Sequence, residues 1–233
     1  GDIDADGYLD VVAATHDPTE LVAFGALDGS ELWAAPVAGP QRSRICLGNL
    51  NSDAELEIVA AGLDSVVAFG CDGDLLWSFQ LEGTPVGEPL IADFDGGEDV
   101  EVVIGRSDPD LLYIIKAPIS RTTPELVVEP VELPGVYSTG AVCDLDLDEQ
   151  NEIVFATNDG TLHSLEYWET SNPRFEWPMY RHDERNSGLY SQPVYGTIME
   201  AASWSGDLAA LADVVVDTGA TLWVAPGTRV ELA

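Results

Sequence analysis

Short runs of apolar residues alternate with acidic or glycine-containing turns along most of this chain. The runs are rich in Val, Ile and aromatic residues and recur in one order. A run such as SRICL precedes an acidic loop, a run such as EIVAAG follows it, and a third such as SVVAF comes after the next turn. Runs of this kind are typical of β-strands, whereas helix-period segments are nearly absent. The pattern therefore predicts an all-β protein.

The acidic loop occurs four times. The copies begin at Asp2, Asn49, Asp93 and Asp144, which are 47, 44 and 51 residues apart. Such an interval suits a unit of four short antiparallel strands, the blade of a β-propeller. One loop alone would fit a solvated turn of a β-sandwich equally well, but four copies in register favour the propeller. We predict a partial propeller of about four four-stranded blades, with approximate boundaries 1–40, 41–84, 85–135 and 136–190.

Both ends depart from the repeat. Gly1 is already inside the first loop, so we expect this chain to be a fragment of a longer protein. Its blades are then expected to form an open arc, or one closed by a borrowed segment. Residues 168–190 have no strand periodicity and are predicted to be an irregular closing segment. The propeller is expected over 1–192, and residues 193–233 return to short β runs, with strands at 214–216 and 221–224 around a turn at 217–220. This part suggests the first rungs of a β-solenoid.

Composition narrows the classes of partner. The net charge is −33, from 42 acidic and 9 basic residues, which disfavours nucleic acid because phosphate contact needs clustered Lys and Arg. No apolar run is long enough to predict a transmembrane helix. The three cysteines lack zinc-type spacing and are expected to be free thiols, and the histidines His16, His163 and His182 lie in different units without a catalytic motif.

The loops carry hard oxygen ligands at alternate positions, with no Cys or His among them. Ca²⁺ takes about 6 to 8 such ligands in flexible geometry, whereas soft-ligand metals are disfavoured. The side chains, or at position 7 the backbone carbonyl, are the candidate ligands. At positions 1, 3, 5, 7 and 9, the first loop has Asp2, Asp4, Asp6, Tyr8 and Asp10, and the second has Asn49, Asn51, Asp53, Glu55 and Glu57. At the same positions, the third loop has Asp93, Asp95, Gly97, Asp99 and Glu101, and the fourth has Asp144, Asp146, Asp148, Gln150 and Glu152.

The four predicted calcium sites differ in charge. The loops at 2–10 and 144–152 each have four carboxylates at positions 1, 3, 5 and 9, and the first also has Gly7 at its sharp turn. The second loop has two amides in place of carboxylates, and the third loses a ligand at Gly97. On ligand charge, affinity should be highest in the first and fourth loops, lower in the second and lowest in the third.

The pattern D-x-D-x-D-G-x-x-D followed by an aliphatic strand resembles the FG-GAP and VCBS-type repeats, which include the integrin α-subunit propellers. Asp2, Asp4, Asp6, Gly7 and Asp10 match it in full. The resemblance covers about residues 1–190 and implies a structural Ca²⁺ at the edge of each blade. EWPMYRHDERNSG is similar to the stretch that closes many bacterial propellers of this kind, and GATLWVAPGTRV to the start of parallel β-helix regions in bacterial surface proteins.

These features favour a non-catalytic calcium-binding module of a secreted or cell-surface bacterial protein, used for adhesion or display to an unknown protein or glycan ligand. One alternative is the propeller of a polysaccharide lyase, since rhamnogalacturonan lyases carry similar loops. Another is a quinoprotein, suggested by DGSELW and CDGDLLW, although Trp33 and Trp77 fit better as packing between adjacent blades. Exposed aromatics that could stack on sugars are Tyr180, Tyr190 and Trp177, for which a core or closing role is the stronger expectation.

Overall fold

The computed structural model describes two compact units, Gly1–Leu189 and Tyr190–Ala233. In the first unit, the described residues are 1–37, 45–51, 53, 55–93, 99–118, 123–133, 135, 139–143, 145, 151–166, 175–179 and 182. In the second they are Tyr190 and the backbone of five strands between residues 192 and 232. The described residues form strands and no helix, which confirms the all-β prediction.

The strands of the first unit form successive antiparallel sheets, as expected of propeller blades. Sheet 1 contains β1 (Val11–Ala14), β2 (Glu20–Phe24) and β3 (Glu31–Pro36), and sheet 2 contains β4 (Ile45–Gly48), β5 (Glu57–Ala61), β6 (Ser65–Phe69) and β7 (Leu75–Gln80). Sheet 3 is built on β8 (Thr84–Ala92), β9 (Val100–Ser107) and β10 (Leu111–Ala117), with β11 (Glu125–Leu126) and β12 (Val131–Glu132) on the outer edge of β10. Sheet 4 contains β13 (Ala141–Cys143), β14 (Glu152–Ala156) and β15 (Leu162–Glu166).

The middle strands of these sheets form the core. β5 and β6 are buried along their whole length, which explains their continuous apolar runs, whereas the outer strand β15 alternates between exposed and half-buried positions. Between sheets 3 and 4, a buried cluster includes Leu90, Leu112, Ile114, Ile153 and Phe155. Each such side chain contributes about 1.5 to 3 kcal/mol when fully buried, so this cluster is a main source of stability.

Hydrogen bonds join neighbouring sheets. The indole Nε1 of Trp33 donates to the carbonyl of Cys71 at 2.7 Å, as the prediction of a Trp between blades requires. The Cys46 thiol donates to the Pro89 carbonyl at 2.8 Å and so joins sheets 2 and 3. The amide of Glu88, in sheet 3, donates at 2.7 Å to Oγ1 of Thr139, which lies just before the first strand of sheet 4. All three cysteines are free thiols.

A short segment, residues 175–179, lies against the first strands of three sheets; we call it the inner segment. Its strand β16 (Phe175–Trp177) pairs antiparallel with β8 and contacts β4. The carbonyl of Pro178 accepts from the amide of Val142, and Met179 forms a bridge with Ala141, both in β13. The segment predicted to be irregular thus includes a strand, because the edge of β8 offers it backbone partners.

The second unit contains parallel pairs. β17 (Gln192–Ile198), β19 (Asp207–Val216) and β21 (Arg229–Leu232) form one parallel sheet, and β18 (Ala202–Trp204) pairs in parallel with β20 (Leu222–Val224). Successive strands thus belong in turn to one parallel sheet and then to the other, an arrangement typical of the rungs of a β-solenoid. The predicted strand at 214–216 lies in β19 and most of that at 221–224 in β20, while the predicted turn at 217–220 lies outside the described residues.

Gly73 provides a test of the contact between sheets 1 and 2. A Cβ at Gly73 would lie 2.7 Å from the Trp33 ring, whereas a Cβ at Gly29 would meet nothing within 4 Å. Both glycines have positive φ, 79° and 69°, so both Ala variants carry the backbone cost of about 1 to 2 kcal/mol. Gly73→Ala should lose about 1 to 3 kcal/mol more than Gly29→Ala in urea unfolding, from overpacking against Trp33. Equal losses would show that this contact is not tight.

Candidate metal sites

All four acidic loops are hairpin connections with the same frame. In the second, third and fourth loops, the position-9 acid pairs with the residue just before position 1: Glu57 with Gly48, Glu101 with Ala92 and Glu152 with Cys143. In the first loop, the amide of Asp10 donates to the carbonyl of Gly1 at 2.6 Å, and the Gly1 nitrogen donates back at 3.3 Å. The spacing in the sequence therefore reflects an eight-residue loop closed by a strand pair.

The position-9 acid also binds the loop it closes. The carboxylate of Asp10 accepts from the amide of Ile3 at 3.1 Å, that of Glu57 from Leu50 at 2.7 Å, and that of Glu152 from Leu145 at 2.6 Å. All three acids are buried, with 6%, 2% and 5% of their surface exposed. One carboxylate is thus fixed at the same point of each of these loops.

The first loop curls because its carboxylates accept backbone N–H groups. Asp2 accepts from Asp6 at 3.0 Å and Gly7 at 2.9 Å, Asp4 accepts from Asp6 at 3.2 Å, and Asp6 accepts from Tyr8 at 2.8 Å. Ala5 and Gly7 have positive φ, 58° and 90°, so the sharp turn at Gly7 is as predicted. Short acidic side chains and a glycine are the residues that allow such a turn.

This curl brings three predicted ligands together. Asp2, Asp4 and Asp10 each offer a carboxylate oxygen within 4.8 Å of the others. Asp6 is not in this group; it is exposed and bonded to the Tyr8 amide. Tyr8 itself is 51% exposed. The loop thus presents a compact set of carboxylate oxygens, with the predicted ligand Asp6 outside it.

The electrostatics of this group favour a cation. Burial raises the pKa of the Asp2 carboxyl, hydrogen bonds from Gly7 and Asp6 oppose the rise, and the charges of Asp6 and Asp10 add to it. A divalent cation would remove this like-charge repulsion. Oxygen ligands on a flexible loop meet the requirements of Ca²⁺ better than those of a soft metal. The donor set therefore fits calcium.

The second loop has a similar curl but less charge. The Asn49 side chain donates to the Asp53 carbonyl at 2.6 Å, and the Asp53 amide donates to Asn51 Oδ1 at 2.9 Å. Asp53 Oδ1 accepts from the Glu55 amide at 3.0 Å. Glu57 Oε1 accepts from Asn51 Nδ2 at 3.1 Å, so both oxygens of this buried acid contact the loop.

Glu57 shares its surroundings with an acid that the sequence did not indicate, Glu176 of the inner segment. Burial raises the pKa of Glu57 to about 7; the Leu50 amide opposes the rise, and Asp53, Glu176 and Glu55 add to it. Glu176 is buried, and its Oε2 accepts from the Asn49 amide at 2.9 Å. It lies far from the loop in sequence and outside the repeat, so loop spacing gave no signal for it.

The third and fourth loops are described only in part. Asp93 and Glu101 are buried, and Asp99 forms an ion pair with Lys116 at 3.9 Å. Glu152 Oε1 is buried and has no hydrogen-bond partner among the described residues, which leaves an oxygen for a ligand. The remaining predicted ligands, Asp95, Asp144, Asp146, Asp148 and Gln150, lie outside the described residues.

The other candidate residues are histidines and aromatic residues outside the four loops in sequence. His163 lies on β15 and His16 follows β1, while buried His182 packs edge-on to Trp177 with ring centroids 5.1 Å apart. Trp177 and Tyr190 are buried, which removes them as stacking platforms for a sugar, and Tyr180 lies outside the described residues. Among the described residues, there is no helix with the length and apolarity of a membrane span.

No protein-family model matches the chain. It is 31% identical over 110 residues to the λ-carrageenases of Pseudoalteromonas sp and Pseudoalteromonas carrageenovora, an alignment that covers 46% of this chain and 11% of each enzyme. The chain thus matches about a tenth of the length of these relatives.

Solved structures show the fold. BBS1N in complex with ARL6DN superposes with a TM-score of 0.51 at 14% identity, over 85% of this chain and 55% of that one. The Vibrio cholerae biofilm matrix protein Bap1 matches at 19% identity over 72% of this chain and 28% of its own; its TM-score of 0.48 adds nothing to the assignment. The successive sheets of the first unit are blades of a β-propeller-type fold.

The raised pKa of Glu57 predicts a pH effect in metal-free buffer. An acid whose pKa is higher in the folded state stabilises the fold most below its ordinary value of 4.5, and this contribution is lost as the pH rises through about 7. Glu57→Gln removes the titration. In urea unfolding with a chelator, the free energy of unfolding of the unsubstituted chain minus that of Glu57→Gln should decrease from pH 5 to pH 8. The exposed Glu31→Gln serves as control. A constant difference would contradict the burial of an ionisable Glu57.

Proposed function

We propose that this chain is a calcium-braced β-propeller module of the FG-GAP/VCBS type, without chemistry of its own, in a secreted or cell-surface protein. The observation that carries the proposal is the convergence of Asp2, Asp4 and Asp10 in a loop whose frame recurs in four sheets. Bound Ca²⁺ would supply positive charge to each cluster of acids. The module would then display its surface to a protein or glycan ligand.

The ligands for each ion come from the chain's own loops. Asp2, Asp4 and Asp10 would hold the ion of the first loop, and Asp6 and the Tyr8 carbonyl are the further ligands that the repeat pattern predicts. The second loop offers Asp53 and Glu57 with the amides Asn49 and Asn51, and the third offers Asp93 and Glu101. In the fourth, Glu152 contributes a buried oxygen already present in the fold. Up to four ions are proposed, and on charge those at 2–10 and 144–152 bind most tightly.

A role in adhesion or display is supported by the surface. The net charge of −33 disfavours nucleic acid and keeps the module soluble at high local concentration. The tip of the first loop exposes the large side chains Tyr8 and Leu9, which a cation beneath them would hold in place. Aromatic side chains of this kind are enriched where proteins meet partners.

A second candidate is favoured by the carrageenase match: the chain is the propeller part of a polysaccharide-acting enzyme. The test is to incubate the protein with λ-carrageenan and pectic polymers, and to assay new reducing ends and unsaturated products. Binding of a polymer or of a protein partner without product is expected for the module. Release of product would identify the enzyme instead.

Asp4→Asn is the sharpest test of the first site. Asp4 is exposed and accepts one backbone hydrogen bond, which an Asn oxygen can replace, so the fold should be unchanged. The matched control is Asp64→Asn, an exposed acid outside the four loops. In calorimetric titration with Ca²⁺, the Asp4 variant should lose one site, whereas the control keeps all sites. The same stoichiometry and affinity in both variants would exclude this loop as a calcium site.

A further inference from the structure

Each sheet of the first unit has two faces, and the cross-strand register shows which residues share a face. In sheet 1, Ala23 and Trp33 lie opposite each other, and Trp33 donates a hydrogen bond to the Cys71 carbonyl of sheet 2. We call the face that carries them the forward face, because it lies toward the next sheet along the chain. Val11 and Phe24 pair one position away and therefore lie on the opposite face, which we call the rear face.

The same two faces meet between the later sheets. On sheet 2, Cys46 lies in one cross-strand row with Trp77, which corresponds to Trp33 of sheet 1. The Cys46 thiol donates to a carbonyl of sheet 3, so this row is on the forward face. The buried cluster between sheets 3 and 4 joins Ile114, on the forward face of sheet 3, to Ile153, on the rear face of sheet 4. A forward face packed on a rear face is therefore the contact that builds the first unit.

The rear face of sheet 1 is exposed where the rear faces of the other sheets are buried. Val11 follows the position-9 acid of its loop and is 57% exposed. The residues at the same position of sheets 2, 3 and 4 are all 0% exposed: Ile58, Val102 and Ile153. Phe24, opposite Val11, is half-buried, whereas its counterpart Phe69 in sheet 2 is 3% exposed. Sheet 1 thus leaves apolar side chains in water on this face.

Sheet 4 is exposed on the other face. Leu162 lies opposite Ala156 on the forward face of sheet 4 and is 67% exposed. Its counterparts on the forward faces of sheets 1, 2 and 3 are all 0% exposed: Leu21, Val66 and Leu112. Ala156 and Ser164 of the same face are exposed as well. The series of sheets 1 to 4 therefore begins with an open rear face and finishes with an open forward face.

We propose that the forward face of sheet 4 binds the rear face of sheet 1 in a second copy of this chain. The occupant is a second copy because the two open faces are the two halves of a contact that the first unit already makes between its own sheets. Two copies would form this contact twice and bring eight sheets into one closed series, within the range of about four to eight blades typical of propellers. The inference goes beyond the proposed function and does not require calcium, since the side chains that carry it lie outside the four loops.

The first test measures the mass of the chain in solution by analytical ultracentrifugation. A dimer is expected at an ionic strength that screens the repulsion between two copies of net charge −33. Val11→Arg and Leu162→Arg each place a charge on one open face, and each should weaken dimerisation by about tenfold or more. The control is Leu63→Arg, in the exposed turn between β5 and β6, which should dimerise as the unsubstituted chain does. An unsubstituted chain that stays monomeric at high concentration would overturn the proposal.

A mixture of the two variants tests the direction of the contact. Val11→Arg keeps an intact forward face on sheet 4, and Leu162→Arg keeps an intact rear face on sheet 1. The mixture should therefore contain a 1:1 complex, joined by a single contact, that neither variant forms alone. Its recovery would also show that both variants are folded. The proposal is wrong if the mixture contains no complex, or if one variant dimerises alone because like faces pair.

Discussion

The buried acid at position 9 is the contact on which the acidic loops depend. It ends the hairpin by strand pairing and accepts the position-2 amide, in Asp10, Glu57 and Glu152 alike. A carboxylate taken out of water is costly unless hydrogen bonds or a cation compensate it. The amide supplies part of that compensation, and further acids in the loops, such as Asp2 and Asp4 in the first and Asp53 in the second, add negative charge. A cation bound at these three loops would offset that charge.

The loops also connect the blades. The Leu56 amide of the second loop donates to the Ile3 carbonyl of the first at 3.2 Å, so these two loops are in direct contact. Trp33 joins the same two sheets at another point through the Cys71 carbonyl. On the calcium proposal, a cation that orders one loop would therefore stabilise the neighbouring sheet as well.

The sequence predicted the elements that repeat and missed those that occur once. The strands, the loop spacing and the Gly7 turn follow from the repeat length and from residue type, because the same pattern of buried and acidic residues recurs in each blade. The inner segment was predicted to be irregular, since the partners that make residues 175–177 a strand lie on β8, which local pattern does not show. Glu176 was missed for the same reason. Asp6 was expected among the converging acids of the first loop, but its carboxylate caps the Tyr8 amide.

The most direct measurement of the central claim is the free energy of unfolding of the parent chain at rising Ca²⁺, with Mg²⁺ and a chelator as references. A single site stabilises by about 2.7 kcal/mol when Ca²⁺ is at 100 times its dissociation constant. Mg²⁺ demands a stricter octahedral shell and should do less at equal concentration. If the loops bind Ca²⁺, the free energy of unfolding rises with the logarithm of the Ca²⁺ concentration, with a slope set by the number of sites. A free energy that is the same in Ca²⁺ and in chelator would contradict it.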